Sequence, residues 1–228
     1  MSSLAHQVSA AGMGNRIFSE RQLGEALGGG DARRYGLVNR ALRDGSLIRL
    51  KRGLYTLAPP YRDERVHPFA AAQALLPGSY VSFESALSHH GWIPEAVFVT
   101  ASVTPGRKTL EFDTADFGRF KFHPLAIQDY RFLTGVEAVS FGKLTAFVAR
   151  PLRALMDLVA LRKVEWSGLD WLISGMRIDE DMLLASTRKD FTELKRVYRH
   201  KAANAFLAAL EDAVAAAKTS QGRGSNHD

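Results

Sequence analysis

Not one of the 228 residues is a cysteine. That absence excludes disulfide scaffolds, cysteine-ligated zinc fingers and thiol catalysis, and it fits a reducing compartment. Proline numbers only 8 and glycine 19, so collagen-like and low-complexity classes are also out. No apolar run approaches the roughly 18 residues that a membrane span needs. The first basic residue is Arg16 and no apolar stretch follows it, so the N-terminus does not read as a secretory signal. These absences together predict a cytoplasmic protein without a membrane partner.

What is present is ordinary globular material, 46% hydrophobic and 24% charged. The length allows one large or two small domains, each able to bury a core without staples. The net charge of +6 is unevenly spread: residues 1–57 hold nine Lys and Arg against four Asp and Glu, an excess of five. An asymmetry of that kind points to a polyanion-binding module joined to a near-neutral one.

The first quarter of the chain has local signals in a definite order. Residues 1–15 read as a mobile tail. Ser19 and Gln22 form a capping box, with Phe18 and Leu23 as its hydrophobic staple. That helix stops at Gly28-Gly29-Gly30. Asp31 is placed to cap a second helix that runs to about Asp44, with Gly45 beyond it. At about 100° per residue, Tyr35, Val38, Ala41 and Leu42 share an apolar face. Arg33, Gly36, Arg40 and Arg43 lie nearly opposite, flanked by Arg34 and Asn39. Residues 46–57 then read as a hairpin with the three-residue loop Lys51-Arg52-Gly53 at its tip. Helix, glycine turn, basic helix and basic-tipped hairpin is the order of a winged helix-turn-helix, whose second helix enters the major groove of DNA.

Beyond the Pro59-Pro60 linker the pattern is mixed. Pro68 opens a helix, Tyr80 and Val81 are extended, and Ser82 caps a short helix that ends at His90-Gly91. Extended runs at 97–103, 108–112, 117–122 and 144–149 predict a small antiparallel sheet. Pro151 opens an apolar helix, and helical pattern covers about 168–217. The fold expected is therefore α+β: a winged helix-turn-helix over 16–58, then a domain of helices on a small antiparallel sheet over 66–217, with flexible tails at 1–15 and 219–228.

Enzymatic constellations are not evident. Neighbouring His89 and His90 point about 100° apart on a helix, a poor metal clamp. Ser82 and Ser85 lack a nucleophile elbow and read as a cap and a small packed residue. Glu84 has no assigned chemistry. Glu111, Asp113, Asp116 and Lys121 do not group as a nuclease site requires, and Gly28-Gly29-Gly30 lacks the Lys-Ser/Thr of a phosphate loop. No catalytic residue, metal ligand or cofactor is expected.

Three stretches resemble one family, the AbiEi-type antitoxins of type IV toxin–antitoxin (abortive infection) systems. They are Leu50-Lys51-Arg52-Gly53-Leu54-Tyr55, the segment from Ser79 to Glu95, and the segment from Ala149 to Leu158. With the strand segment 100–122 they place residues 17–160 on the family pattern. The family's Ser-Pro-Glu-Lys-Ala stands here as Arg150-Pro151-Leu152-Arg153-Ala154. The resemblance implies a repressor that binds its own operator through the N-terminal domain. It also implies a C-terminal domain that neutralises a nucleotidyltransferase-like toxin without a stable complex.

The expectation is thus a DNA-binding repressor and antitoxin, not an enzyme, with double-stranded DNA and the toxin as partners. Arg33, Arg34, Asn39, Arg40 and Arg43 are candidates for groove and base contacts; Arg49, Lys51 and Arg52 are candidates for phosphate contacts. The alternatives are a nuclease with its site in the C-terminal domain, a regulator without antitoxin activity, and a protein-interaction module.

Overall fold

The computed structural model of the chain describes residues 3–224. The fold is α+β, with helices and two sheets. It divides into two compact units: the chain up to Gly78 with Glu111–Phe120 and Ala138–Ala146, and Ser79–Leu110 with Lys121–Glu137 and the chain from Phe147 onward.

The first unit begins with a helix that was not expected. Residues Leu4–Ala10 form α1, opened by Ser3, whose side chain accepts from the His6 amide. Leu4, Ala5 and Val8 fall on one face and are buried in the same core as Phe18, Leu23, Leu27, Ala41, Leu47, Tyr55 and Leu57. Tertiary burial stabilises this short helix where local propensity does not, since isolated helices of this length are marginal.

Strand β1 (Ile17–Ser19) leads directly into α2 (Glu20–Leu27). The capping box is present: Ser19 Oγ accepts from the Gln22 amide at 3.3 Å, and Gln22 Oε1 accepts from the Ser19 amide at 2.8 Å. The staple residues Phe18 and Leu23 are both buried. The helix ends at Gly28, whose φ of 60° lies in the left-handed region that glycine adopts freely. Helix α3 (Asp31–Arg43) follows, and its N-cap is Gly30 rather than Asp31. Asp31 is the first helical residue, and its carboxylate pairs with Arg34 instead of capping an amide.

Strands β2 (Leu47–Lys51) and β3 (Leu54–Leu57) form the expected hairpin. Lys51 pairs with Leu54, so the loop shrinks to Arg52-Gly53, with Gly53 at φ 77° and a register shift between Arg49 and Lys51. Strand β1 pairs with the other edge of β3, Ser19 opposite Leu54 and Ile17 opposite Thr56, giving the order β1-β3-β2. The Pro59-Pro60 segment is a 3-10 turn over Pro59–Tyr61 rather than an open linker. Just beyond it, Asn15 Oδ1 accepts from the amides of Asp63 and Glu64 at 2.9 and 3.3 Å. Helix α4 (Pro68–Leu75) starts at Pro68 as expected.

The second sheet is mixed, not antiparallel. Its strands are β4 (Tyr80–Val81), β5 (Val99–Thr104), β6 (Leu110–Thr114), β7 (Gly118–Pro124), β8 (Val136–Phe141) and β9 (Leu144–Ala149). Their order is β6-β7-β5-β4-β9-β8, and β4 runs parallel to β9 with Val81 opposite Val148. Such pairing joins residues far apart in the chain, and β8 carried no sequence signal that marked it. In the second unit, α5 (Phe83–His89) and α6 (Pro151–Arg162) pack together. The expected helical stretch after 168 is broken into a π-turn at Trp171–Gly175, α7 (Glu180–Leu184), α8 (Arg188–Leu194) and α9 (Lys201–Gly224). The expected 219–228 tail is helical to Gly224, and its last residues lie outside the described ones. Among the described residues no helix is long and apolar enough to cross a membrane.

The core of the second unit is built around an ion pair. Arg153 and Asp157, one turn apart on α6, are both 0% exposed. Arg153 Nε donates to Asp157 Oδ1 at 2.8 Å. The same carboxylate accepts from the hydroxyls of Tyr198 at 2.7 Å, Ser82 at 2.7 Å and Tyr80 at 3.0 Å. The rest of the guanidinium donates to the carbonyls of Thr134 and Phe132 and to the Tyr80 hydroxyl. Ser82 thus spends its hydroxyl on Asp157 and makes no side-chain cap to α5. Burial opposes the charge on Arg153, but Asp157 and the two tyrosines outweigh it and hold the guanidinium more firmly protonated than usual. Burial, then the Asp157 charge, pushes both tyrosine hydroxyls well above their ordinary value.

Three expectations follow from this fold. Leu4→Ala should lower stability by about 2 kcal/mol or more in chemical denaturation, whereas a mobile tail would lose nothing. Asp157→Asn should cost about 3–5 kcal/mol, because it strands a buried guanidinium; a loss below about 1 kcal/mol would contradict the network. The raised tyrosine values stabilise the fold fully below the unfolded tyrosine value of about 10, and that contribution fades as pH rises above it. Melting temperature should therefore fall more steeply above pH ~10 in the wild type than in Tyr198→Phe, and parallel curves would contradict the assignment.

Candidate nucleic-acid interface

Helices α2 and α3 and the β2–β3 hairpin enclose a groove of about 1190 Å³ in the first unit. Its geometry is set by backbone contacts. Besides the β1–β3 pairing, the Glu20 amide at the start of α2 donates to the Gly53 carbonyl at the hairpin tip at 2.9 Å. Thr56 Oγ1 on β3 donates to the Arg16 carbonyl at 3.1 Å. The hairpin and the helix pair are thereby held at one spacing.

Four of the eight expected site residues line this groove: Arg34, Asn39, Arg49 and Arg52. Arg49 and Arg52 project into solvent without a hydrogen bond or ion pair among the described residues. Arg34 is already engaged, donating to the Gly29 carbonyl at 3.0 Å and pairing with Asp31. Arg33, Arg40 and Arg43 lie on the other exposed flank of α3. Arg33 reaches back to the Leu27 carbonyl at 3.4 Å, so it braces the α2–α3 turn. Arg43 Nε donates to the Asn39 carbonyl at 3.3 Å, one turn back along α3. The Arg40 guanidinium makes no side-chain hydrogen bond or ion pair among the described residues; behind the hydrogen bonds from Ser46, its charge helps hold the Asp44 carboxyl below its ordinary value.

Lys51 is not displayed at the hairpin tip. Its Nζ donates to the Leu75 carbonyl, the last residue of α4, at 2.6 Å and sits 5.8 Å from the centre of the Phe112 ring. The shorter loop leaves Lys51 inside the ladder, where its side chain meets α4. Arg52 alone carries the charge of the tip.

The structure also exposes a residue that the apolar pattern assigned to packing. Tyr35 is 71% exposed and lines the groove. The buried face of α3 centres on Ala41, with Leu37, Val38 and Leu42 packed beside it. Leu37 and Ala41, four residues apart, were the available signal; counting Leu37 in the apolar arc rotates that arc and leaves Tyr35 at its rim. Glu20, Arg21 and Glu25 on α2 line the groove, as does Asp31 at the start of α3. Arg21 and Glu25 pair at 3.6 Å on the surface. The wall they form is therefore net acidic, three carboxylates against one arginine, and the groove-lining cations without a side-chain partner, Arg49 and Arg52, lie on the hairpin.

The enzymatic candidates are occupied elsewhere. Asp113 accepts from Arg119 at 2.8 Å, and Glu84 pairs with Arg162. Ser85 Oγ donates to the Val99 carbonyl and accepts from the Ala101 amide, each at 2.9 Å, so it stitches α5 to β5. His90 Nε2 lies 3.0 Å from the Ala149 carbonyl, while burial and then His90 push the His89 imidazole below its ordinary value. Among the described residues no group of three or more His, Cys, Asp or Glu is placed to hold a metal ion.

No protein-family model matches the chain, and comparison with curated proteins gives no match.

Proposed function

We propose that this chain is a double-stranded DNA-binding transcriptional repressor that is not an enzyme. In this reading the first unit holds a winged helix-turn-helix, with α3 as the groove-entering helix and β2–β3 as the wing. One observation carries the proposal: the exposed guanidinium groups of Arg49 and Arg52 line one groove with α3 and make no side-chain hydrogen bond or ion pair among the described residues, and the spacing of that groove is set by backbone hydrogen bonds. Free cations on a rigid frame match a polyphosphate strand, and phosphate contacts fix the register in which a helix reads base edges. The resemblance to AbiEi-type antitoxins adds the biological setting: a cytoplasmic autorepressor of its own operon, whose second unit serves neutralisation of a nucleotidyltransferase-like toxin.

Titration of the full chain with its own promoter and with random duplex tests the reading, and tighter binding to the promoter is expected. Arg40→Ala should cost roughly 1–3 kcal/mol on the promoter, and less on random DNA, if it makes a bidentate base contact. Arg52→Ala should weaken both duplexes alike and reduce the slope of log affinity against log salt by about 1. Asp31 lines the groove as an acid that competes with phosphate for Arg34. Asp31→Asn should therefore strengthen binding and steepen the salt slope. Weaker binding by this variant would show that Arg34 must stay braced by Asp31. Equal affinity of the wild type for promoter and random duplex would contradict a sequence-reading role for α3.

A further inference from the structure

Arginines on α3 and the wing supply charge and donors, but they offer nothing apolar to a base pair. Tyr35 does. It is the fifth residue of α3 and is 71% exposed. It shares the groove with Asn39, one turn further along, and with Arg34, Arg49 and Arg52. The other apolar residues of α3 that line the groove, Val38 and Leu42, are packed against the core. Neither the Tyr35 hydroxyl nor the Asn39 side-chain amide makes a hydrogen bond among the described residues; the Asn39 contact present is its backbone carbonyl, which accepts from Arg43. An aromatic ring and an amide, both unengaged, thus stand side by side on the second and third turns of the helix.

We infer that Tyr35 and Asn39 are specificity-determining residues that read A·T base pairs in the major groove. The inference rests on the reading of α3 as the helix that enters the groove. In that groove only thymine presents a methyl group, and an apolar surface is what recognises it. Adenine presents the N7 acceptor and N6 donor that an asparagine amide pairs with in bidentate fashion. Residues four apart on a helix are about 5–6 Å apart at Cβ, and successive base pairs are about 3.4 Å apart. Neighbouring pairs, or the two bases of one pair, are therefore within reach of both side chains. The tyrosine ring covers a thymine C5-methyl, and the Asn39 amide takes the edge of an adenine at the same or the adjoining pair. Arg49 and Arg52 on the hairpin hold the phosphates across the groove, which leaves the base edges on this side of α3 to these two residues, with Arg40 on the helix's other flank.

Selection of binding sites from a random duplex library, using the full chain, gives the sequence for the test. Wild-type protein should select a fixed thymine and an adenine at the same or the next pair. Replacing that thymine by deoxyuracil removes only the methyl group and should weaken wild-type binding about fourfold, the effect of one buried methylene-sized group. Tyr35→Ala should bind the selected duplex more weakly and show no further loss with deoxyuracil. Tyr35→Phe should keep the methyl effect, because the ring carries it. Asn39→Ala should lose the adenine preference while keeping the methyl effect. An unchanged melting temperature is expected for Tyr35→Ala, since the ring is in solvent. A methyl effect that survives in Tyr35→Ala would overturn the inference, and if Arg40→Ala still abolished the preference for the selected sequence, the reading of α3 would stand without it. Selection of no sequence by wild-type protein would overturn both.

Discussion

Residues Ile17–Ser19 pair with Leu54–Thr56, and Ser19 at the end of that strand is also the cap of α2. One residue therefore belongs to the sheet and to the helix at once. The next amide, Glu20, donates to Gly53 at the hairpin tip. The start of α2 and the turn of the hairpin are consequently one point in space. From there the chain has little freedom: α2 closes on Gly28, Arg33 and Arg34 bind the carbonyls of Leu27 and Gly29, and α3 sets off across the core. The groove between α3 and the hairpin is framed by backbone hydrogen bonds, and side chains carried on such a frame are held more precisely than side chains on loops.

The arginines divide by their partners in consequence. Arg33 and Arg34 donate to carbonyls and brace the turn; the side chains of Arg40, Arg49 and Arg52 make no such bond and are exposed. A count of positive charges does not distinguish these two groups, whereas their hydrogen bonds do. Lys51 shows the same logic in the opposite direction, since a lysine that donates to a helix-terminal carbonyl is anchoring α4. The buried network of the second unit is structural as well. Tyr80 lies on β4 and Ser82 directly before α5, while Arg153 and Asp157 lie on α6. Their meeting at one carboxylate ties β4 and the start of α5 to α6.

Much of the first unit was legible because its signals are local. The Ser19–Gln22 capping box, the triple-glycine turn, Gly45 after α3 and Pro68 at a helix start each act within a few residues of where they stand, and Pro151 does the same at the start of α6 in the second unit. What escaped depends on distance along the chain. Helix α1 is held by core contacts with residues up to Leu57, the parallel pairing of Val81 with Val148 joins residues far apart in the chain, and Leu75 captures Lys51 from 24 residues away. Tyr35 differs for a subtler reason: the buried arc of α3 takes in Leu37 and Ala41, which rotates it and leaves Tyr35 at its exposed rim. At the site, residue types and order were readable, but which arginines were free was not, because that depends on carbonyls whose positions only the fold defines.

Amide hydrogen exchange of the full chain, with and without its own promoter duplex, tests the central claim most directly. The account predicts slowed exchange over residues 31–43 and 47–57, with the second unit unchanged apart from small global effects. Protection confined to the second unit, or none anywhere under conditions where the duplex is bound, would contradict it.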